Sequence, residues 1–333
     1  VVGGYASGGA GRTVLVRLNA KGKVVWSKRL RVGMITGLVV RKDGFILQAG
    51  TALVKVNLSG DVVWSKSFGD FLQPFLSHSV IKLKNGYLFT LENIRKAIYL
   101  VSIDNNGEFR WAKQYRTSGC SGKREVPEVL VKSLDGGSLL VLNSECTPGH
   151  LRVMKLGSKG EIVWQRAYDM RGYWSVKALA TTDDGYLLGV NAKNVNLFIK
   201  LDASGSEQWQ KSYSAVNPFL GLRTIQEQNG RYVVLANNSV YEMNGKGNIL
   251  RGIEITPDVP SYDPRPTLVD LYSTDDGGFS VTGYQWCSNR TISNWIGDNF
   301  SQSSLVEIID TRRFRVLSSA PLIVIVLLIR ELL

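Results

Sequence analysis

The 333-residue chain contains three cysteines, two histidines and nine prolines, and each shortage closes off a class of protein. Cys120, Cys146 and Cys287 are too few and too scattered for a disulfide scaffold, and none sits in a metal-binding CxxC pair. With only His78 and His150 available, one at the start of a strand-like run and one in a loop, no Ser–His–Asp arrangement can be argued. No glycine-rich phosphate loop follows a strand and opens a helix, so nucleotide use has no motif behind it. Long hydrophobic runs are missing as well. The longest tail run, Leu322 to Ile329, has eight residues, well short of the roughly 20 that a spanning helix needs.

Apolar residues make up 44% and charged residues 20% of the chain, which excludes disorder. The 34 glycines against nine prolines, with 10% aromatics, point to a turn-rich β protein and exclude collagen. Forty basic against 28 acidic residues leave a net charge of +12, so an anionic partner enters consideration. Four glycosylation sequons, at Asn57, Asn237, Asn289 and Asn299, suit an exported protein, extracellular or at the cell surface, and also arise by chance in an Asn- and Ser-rich chain. The apolar start at Val1, without an intact signal peptide, suits a chain whose leader was removed or one excerpted from a longer sequence.

The chain repeats itself. Leu18-Asn-Ala-Lys-Gly-Lys-Val-Val-Trp26, Val56 to Trp64, Ile103 to Trp111, Leu156 to Trp164 and Leu201 to Trp209 are copies of one pattern. A sixth copy starts at Met243 and is read with Leu250 in place of Trp, and a degenerate seventh runs from Ile309 to Phe314. The tryptophans of these five copies are 38, 47, 53 and 45 residues apart, the length of one four-stranded blade of a β-propeller. Between the copies lie Asp43-Gly, Asn85-Gly, Asp135-Gly-Gly, Asp184-Gly, Asn229-Gly and Asp276-Gly-Gly, read as type I′ hairpin turns because Asp or Asn before Gly accepts positive φ. Each unit therefore reads as strand A, Asp-Gly turn, strand B, loop, strand C, Gly turn, strand D with its Trp.

Counting strands predicts seven four-stranded blades over residues 1–320. Strand A is one copy short, and the apolar tail, 321–333, is placed to supply a strand that pairs with the N-terminal one and closes the ring. The second reading of the tail is the start of a truncated membrane anchor, which would give membrane association.

Alternation along strand D puts Trp, the residue two before it and the residue four after it on one face, expected to be buried between blades. Two after the Trp comes Lys28, Lys66, Lys113, Arg166 or Lys211, whose stem can cover the indole while its charge reaches water. Strand C adds Arg17, Lys55, Lys155 and Lys200 at one shared position. The repeat thus spreads nine basic residues around the ring, which argues against the basic patch that nucleic-acid binding needs.

In such a blade the A–B and C–D turns share one end and the B–C and D–A loops the other. The irregular insertions, Gly69 to Phe75, Arg116 to Glu125, Ser144 to His150, Thr256 to Pro266 and Gln285 to Gln302, all map to the second end, the expected binding surface. Trp286, Arg290 and Trp295, with Tyr262 and Arg265, are candidate contacts for a protein or glycan ligand. The alternative is that these aromatics cap the core. Cys120 and Cys146 fall in neighbouring loops of one blade, where a disulfide and two free buried thiols are both open readings. Asp183-Asp184 and Asp275-Asp276 read as turn residues rather than paired catalytic carboxylates, and Asp104 to Glu108 lacks the spacing of a calcium loop. No cofactor is expected from these residues.

The Leu-Asp-Ala-Ser-Gly-x-x-x-Trp209 segment and its equivalents ending at Trp26, Trp64, Trp111 and Trp164 resemble the repeats of quinoprotein-like β-propellers. They also look like uncharacterised propeller repeats of prokaryotic surface proteins. The likeness spans nearly the whole chain. The first family implies pyrroloquinoline quinone, calcium and a catalytic Asp in the central channel, but the adjacent cysteines found near that cofactor are absent and the turn is one residue short. The second implies a noncatalytic binding or scaffold module outside the cell.

Overall fold

Among the described residues each Asp-Gly or Asn-Gly signature joins two strands and each glycine turn before a Trp position joins the next two; the turn at Asp276 and the degenerate copy from Ile309 to Phe314 lie outside the described residues. The chain accordingly folds as a succession of antiparallel meanders. The computed structural model describes residues 2–6, 12–19, 24–32, 35–68, 79–92, 97–115, 125–144, 150–169, 173–181, 183–192, 195–214, 221–236, 239–254, 267–273, 279–286 and 322–329. All regular structure among them is β.

The first sheet has three strands, β1 (Val2–Ala6), β2 (Arg12–Leu18) and β3 (Val24–Leu30). Four-stranded sheets follow: β4 (Ile35–Arg41), β5 (Gly44–Ala49), β6 (Ala52–Asn57) and β7 (Val62–Ser67), then β8 (Val80–Leu83), β9 (Gly86–Glu92), β10 (Ile98–Asp104) and β11 (Phe109–Tyr115). The next are β12 (Glu125–Lys132), β13 (Ser138–Ser144), β14 (His150–Leu156) and β15 (Ile162–Asp169), then β16 (Tyr173–Ala180), β17 (Tyr186–Ala192), β18 (Val195–Leu201) and β19 (Glu207–Ser214). The last are β20 (Leu222–Gln228), β21 (Arg231–Ala236), β22 (Ser239–Met243) and β23 (Ile249–Glu254), and a three-stranded sheet of β24 (Thr267–Ser273), β25 (Phe279–Trp286) and β26 (Leu322–Ile329). The strands divide into two compact units, Ile35–Gly221 and Val1–Met34 with Leu222–Leu333.

Within the unit Ile35–Gly221 the first strands of successive sheets are neighbours, β4 beside β8, β8 beside β12 and β12 beside β16. The core lies between consecutive sheets. Ile46 and Leu53 meet Tyr87, Phe89 and Val101; Leu88 and Leu100 meet Leu130, Leu140 and Met154; Val141 and Val153 meet Val176, Leu188 and Ile199. Second strands such as β13, Ser138-Leu-Leu-Val-Leu-Asn-Ser144, are buried along nearly their whole length because a sheet covers each face. Each large apolar side chain taken out of water there contributes about 1.5 to 3 kcal/mol.

Strand D departs from simple alternation. In β3, β7, β11, β15, β19 and β23 the register with the third strand slips by one residue just before the Trp position, for example between Lys55 with Trp64 and Val56 with Val62. This β-bulge breaks the two-residue period, so the residue two before Trp leaves the Trp face. Val24, Val62, Phe109 and Ile162 are exposed, correcting the expectation that they are buried. The residues four after Trp, Leu30, Phe68, Tyr115, Tyr168 and Tyr213, are buried or half-buried as alternation requires. In the sixth copy the bulge puts Arg251, paired with Glu242, at the Trp position, and Leu250 is the exposed bulge residue. The reading of Leu250 as the Trp substitute is therefore off by one.

The turn chemistry also differs from expectation. Only Asn229-Gly230, with φ of 52° and 73°, has the two positive dihedrals of a type I′ turn among the described hairpins. At Gly44 and Gly86 the glycine is set by close approach. A Cβ on Gly44 or Gly86 would stand 2.0 Å from the Val56 carbonyl oxygen or 1.9 Å from that of Ile103, on the third strand of the same sheet.

The C-terminal run is a strand, β26. It pairs antiparallel with β25, with Trp286 opposite Leu322 and Phe279 opposite Ile329, whereas β1 is hydrogen bonded to β2. The expected pairing of the tail with the N-terminal strand is thus absent among the described strand pairs: β26 takes the third position of its own sheet instead. No helix among the described residues is long and apolar enough to cross a membrane.

Candidate functional site

Of the residues singled out in the sequence, Tyr262, Arg265, Arg290, Trp295, Cys120 and Cys146 lie outside the described residues. Trp286 is the last residue of β25 rather than part of a loop. The strand ends from which the insertions depart are described, and in the sheet β12 to β15 they carry a polar network that sequence reasoning missed. Glu125, the first residue of β12, accepts a hydrogen bond from Ser144 Oγ at 2.9 Å and from Arg152 Nη1 at 3.2 Å. Arg152 Nη2 donates to Gln165 Oε1 at 2.8 Å. Both charged side chains are over nine-tenths buried. This network ties the start of the first strand, the end of the second and the start of the third, the strand ends that adjoin residues 116–124 and 145–149 in sequence. Its only trace in the sequence is an acidic residue opening an apolar strand.

At the other end of the same unit the tight turns consume their polar groups internally. Asn57, Asp104 and Asp202 each accept, through Oδ1, the N–H groups two and four residues on. Asp104 therefore serves as a turn residue, as its spacing suggested. In three successive turns of this kind the glycine receives the indole of the preceding sheet, Trp64 against Gly107, Trp111 against Gly160 and Trp164 against Gly205. Trp164 Nε1 donates to the Ala203 carbonyl at 2.9 Å, and Tyr115 Oη donates to that of Gly160 at 2.5 Å. The basic residue two after the Trp joins this clasp. Lys113 and Arg166 lie 5.8 Å from the rings of Trp111 and Trp164, and Lys66 pairs with Glu108 of the next sheet at 2.8 Å.

The third-strand lysines point inward. Lys155 and Lys200 are almost fully buried and pair with Asp135 at 2.7 Å and Asp183 at 2.8 Å in the A–B turn of their own sheets; Lys55 pairs with Asp43 at 2.7 Å. Burial would raise the Asp135 and Asp183 carboxyls, but the lysine hydrogen bonds and the turn N–H groups outweigh it and hold both below the usual range. Hydrogen bonds from Arg41 and Lys55 do the same for Asp43. Lys55, Lys155 and Lys200 are therefore neutralised internally, and spreading by the repeat does not describe where the free charge lies.

One turn breaks the pattern. In the sheet β8 to β11 the third-strand position is Ser102, opposite Trp111, and the turn reads Lys84-Asn85-Gly86 with no carboxylate. The cation comes instead from the first strand. Lys82 Nζ donates to the carbonyls of Leu83 and Gly86 and, at 2.8 Å, to Asn105 Oδ1. Arg41 of the preceding sheet donates to Tyr87 Oη at 2.6 Å and to the same Asn105 oxygen at 3.4 Å. Both cations approach the Tyr87 ring, Lys82 at 5.0 Å and Arg41 at 5.6 Å from its centroid. Burial first, then repulsion from Arg41, Lys132 and Arg110, lowers the Lys82 ammonium from its ordinary value. The signal was legible: Lys-Asn-Gly stands where the other turns of this unit carry Asp.

Among the described residues no group of three or more His, Cys, Asp or Glu side chains is arranged to hold a metal ion. No protein-family model matches the chain. No curated protein matches it significantly. Solved structures do. The WD40 domain of Neurospora crassa Pan2 superposes with a TM-score of 0.55 at 11% identity, over 82% of this chain and 79% of that one. The Dos1 propeller gives 0.50 at 13% identity over 81% and 70%. A protein of unknown function from Bacteroides caccae gives 0.50 at 14% identity over 74% and 84%. At such identities the likeness speaks to fold alone, and with the succession of antiparallel meanders it makes the fold a β-propeller.

Proposed function

We propose that the chain is a noncatalytic seven-bladed propeller module that binds or scaffolds at the cell surface, contacting a protein or glycan through its irregular loop end. The observation that carries this reading is the unequal treatment of the two ends. The tight-turn end spends its Asp, Asn, Lys and Trp side chains on its own turns and on neighbouring sheets. The buried Glu125 and Arg152 network ties together the strand ends that adjoin the insertions in sequence, the kind of rigid base that recognition loops usually depart from. Trp286, Arg290, Trp295, Tyr262 and Arg265 supply residue types that anchor interfaces.

The test is a glycan array and a panel of purified extracellular proteins probed with the chain and with an Arg290→Glu, Trp295→Ala variant. The expected result is selective binding that the variant loses while keeping its unfolding transition. Undiminished binding by the variant removes the loop end from consideration, and pyrroloquinoline-quinone-dependent dye reduction by the chain overturns the noncatalytic reading.

A further inference from the structure

The turn Lys84-Asn85 lacks the carboxylate that balances a buried cation in the neighbouring sheets. Asp43, Asp135 and Asp183 perform that task in the sheets before and after it. Here the Lys82 ammonium has only neutral acceptors, three carbonyls and the Asn105 amide. Exposed Lys84 and Lys42 stand in the adjoining turns, and exposed Lys132 ends the first strand of the next sheet. Arg41 approaches from the other side, linked to Lys82 through Asn105. The carboxylates nearest by sequence are already engaged, Asp43 by Arg41 and Lys55, and Asp135 by Lys155. Like charges held together at the convergent first strands cost stability unless an anion offsets them.

We propose that this turn, with Arg41 and Lys132 flanking it, is a binding site for a doubly charged oxyanion, a sulfate or phosphate group, free or borne on a glycan. It lies at the tight-turn end and is independent of the loop-end reading. Lys84 and Lys132 contact the anion directly. Arg41 and Lys82 supply field from fixed positions, since their donors hold Asn105 and Tyr87.

The experiment is thermal unfolding in sodium sulfate and in sodium phosphate against sodium chloride at matched ionic strength, with a heparin-derived sulfated hexasaccharide and its desulfated form as separate arms. Sulfate and phosphate stabilise proteins generally, so the readout is the difference between the chain and two variants. Asn85→Asp places a carboxylate directly before the turn glycine, where Asp43 stands before Gly44 and pairs with Lys55, and Lys84→Glu with Lys132→Glu reverses two exposed charges. The native chain should show a saturable gain in Tm, and both variants should bind about tenfold more weakly while equalling or exceeding its Tm in chloride, because they relieve the repulsion. Tighter binding of the sulfated hexasaccharide than of the free ions assigns the group to a glycan; equal binding assigns it to the free ion. A non-saturating gain that is identical in all three proteins overturns the site, as does binding to phosphatidylserine vesicles without binding to either ion or the hexasaccharide.

Discussion

The indole of Trp164 lies against Gly205, and its Nε1 donates to the carbonyl of Ala203 in the same turn. Gly205 has a φ of +79°, and a Cβ there would meet three indole carbons at 2.9 Å. The residue thus satisfies a left-handed turn and leaves room for the neighbouring sheet at once. Gly136 has nearly the same dihedral, +85°, but open space around its absent Cβ. Gly136→Ala should therefore cost only the left-handed strain, about 1 to 2 kcal/mol. Gly205→Ala should cost more by displacing the indole. Urea unfolding of the two variants measures the difference; equal costs would remove the clasp from the energetics.

Acid should weaken the fold through the A–B turns. The Asp43, Asp135 and Asp183 carboxyls are held below their ordinary values. Because the folded value lies below the unfolded one, near 3.9, the stability they contribute is complete above that value and declines as pH falls through the folded values. Stability measured by urea unfolding should accordingly be flat in this respect from pH 7 to about 5 and drop below about 4. Replacing all three with Asn should lower stability at pH 7 and flatten the acid limb. An unchanged acid limb in that variant would assign the titration elsewhere.

Arg152 and Glu125 are paired with little access to water. Leaving either charge buried without its partner costs about 3 to 5 kcal/mol, whereas removing both for apolar groups of similar size is nearly neutral. Arg152→Met alone should be severely destabilising, and Glu125→Leu with Arg152→Met should recover much of the loss. A double-mutant cycle measures the coupling. Additive costs would mean that the pair does not act as a unit.

The periodicity in the sequence carried the meander order because the turn signals are chemically distinct. Asp-Gly and Gly-before-Trp segments mark hairpins at regular distance, and every described A–B and C–D hairpin lies where they stand. Facing was harder to read. The bulge ahead of each Trp position depends on a slip between two strands, which no single strand encodes, so Phe109 and Val62 were placed inside and Arg251 was missed. The destination of the third-strand lysines required knowing that the A–B turn folds back over strand C. The Glu125 network joins residues 19 and 27 positions apart with no repeat to announce it. The break at Lys84-Asn85 could have been read, since it is a departure from a pattern visible in the sequence.

The bulge makes a prediction that separates the two readings of strand D. Phe109 is 60% exposed and Trp111 half-buried against Gly160, although simple alternation would bury both on one face. Phe109→Ser should change stability by no more than about 0.5 kcal/mol, as a surface substitution does. Trp111→Ala should cost about 2 to 3 kcal/mol because it removes ring contacts with the next turn and leaves a gap beside Gly160. Chemical unfolding of both variants decides between them. A Phe109→Ser loss as large as that of Trp111→Ala would mean that the side chain packs inward and that the register slip at Ile103 does not hold in solution.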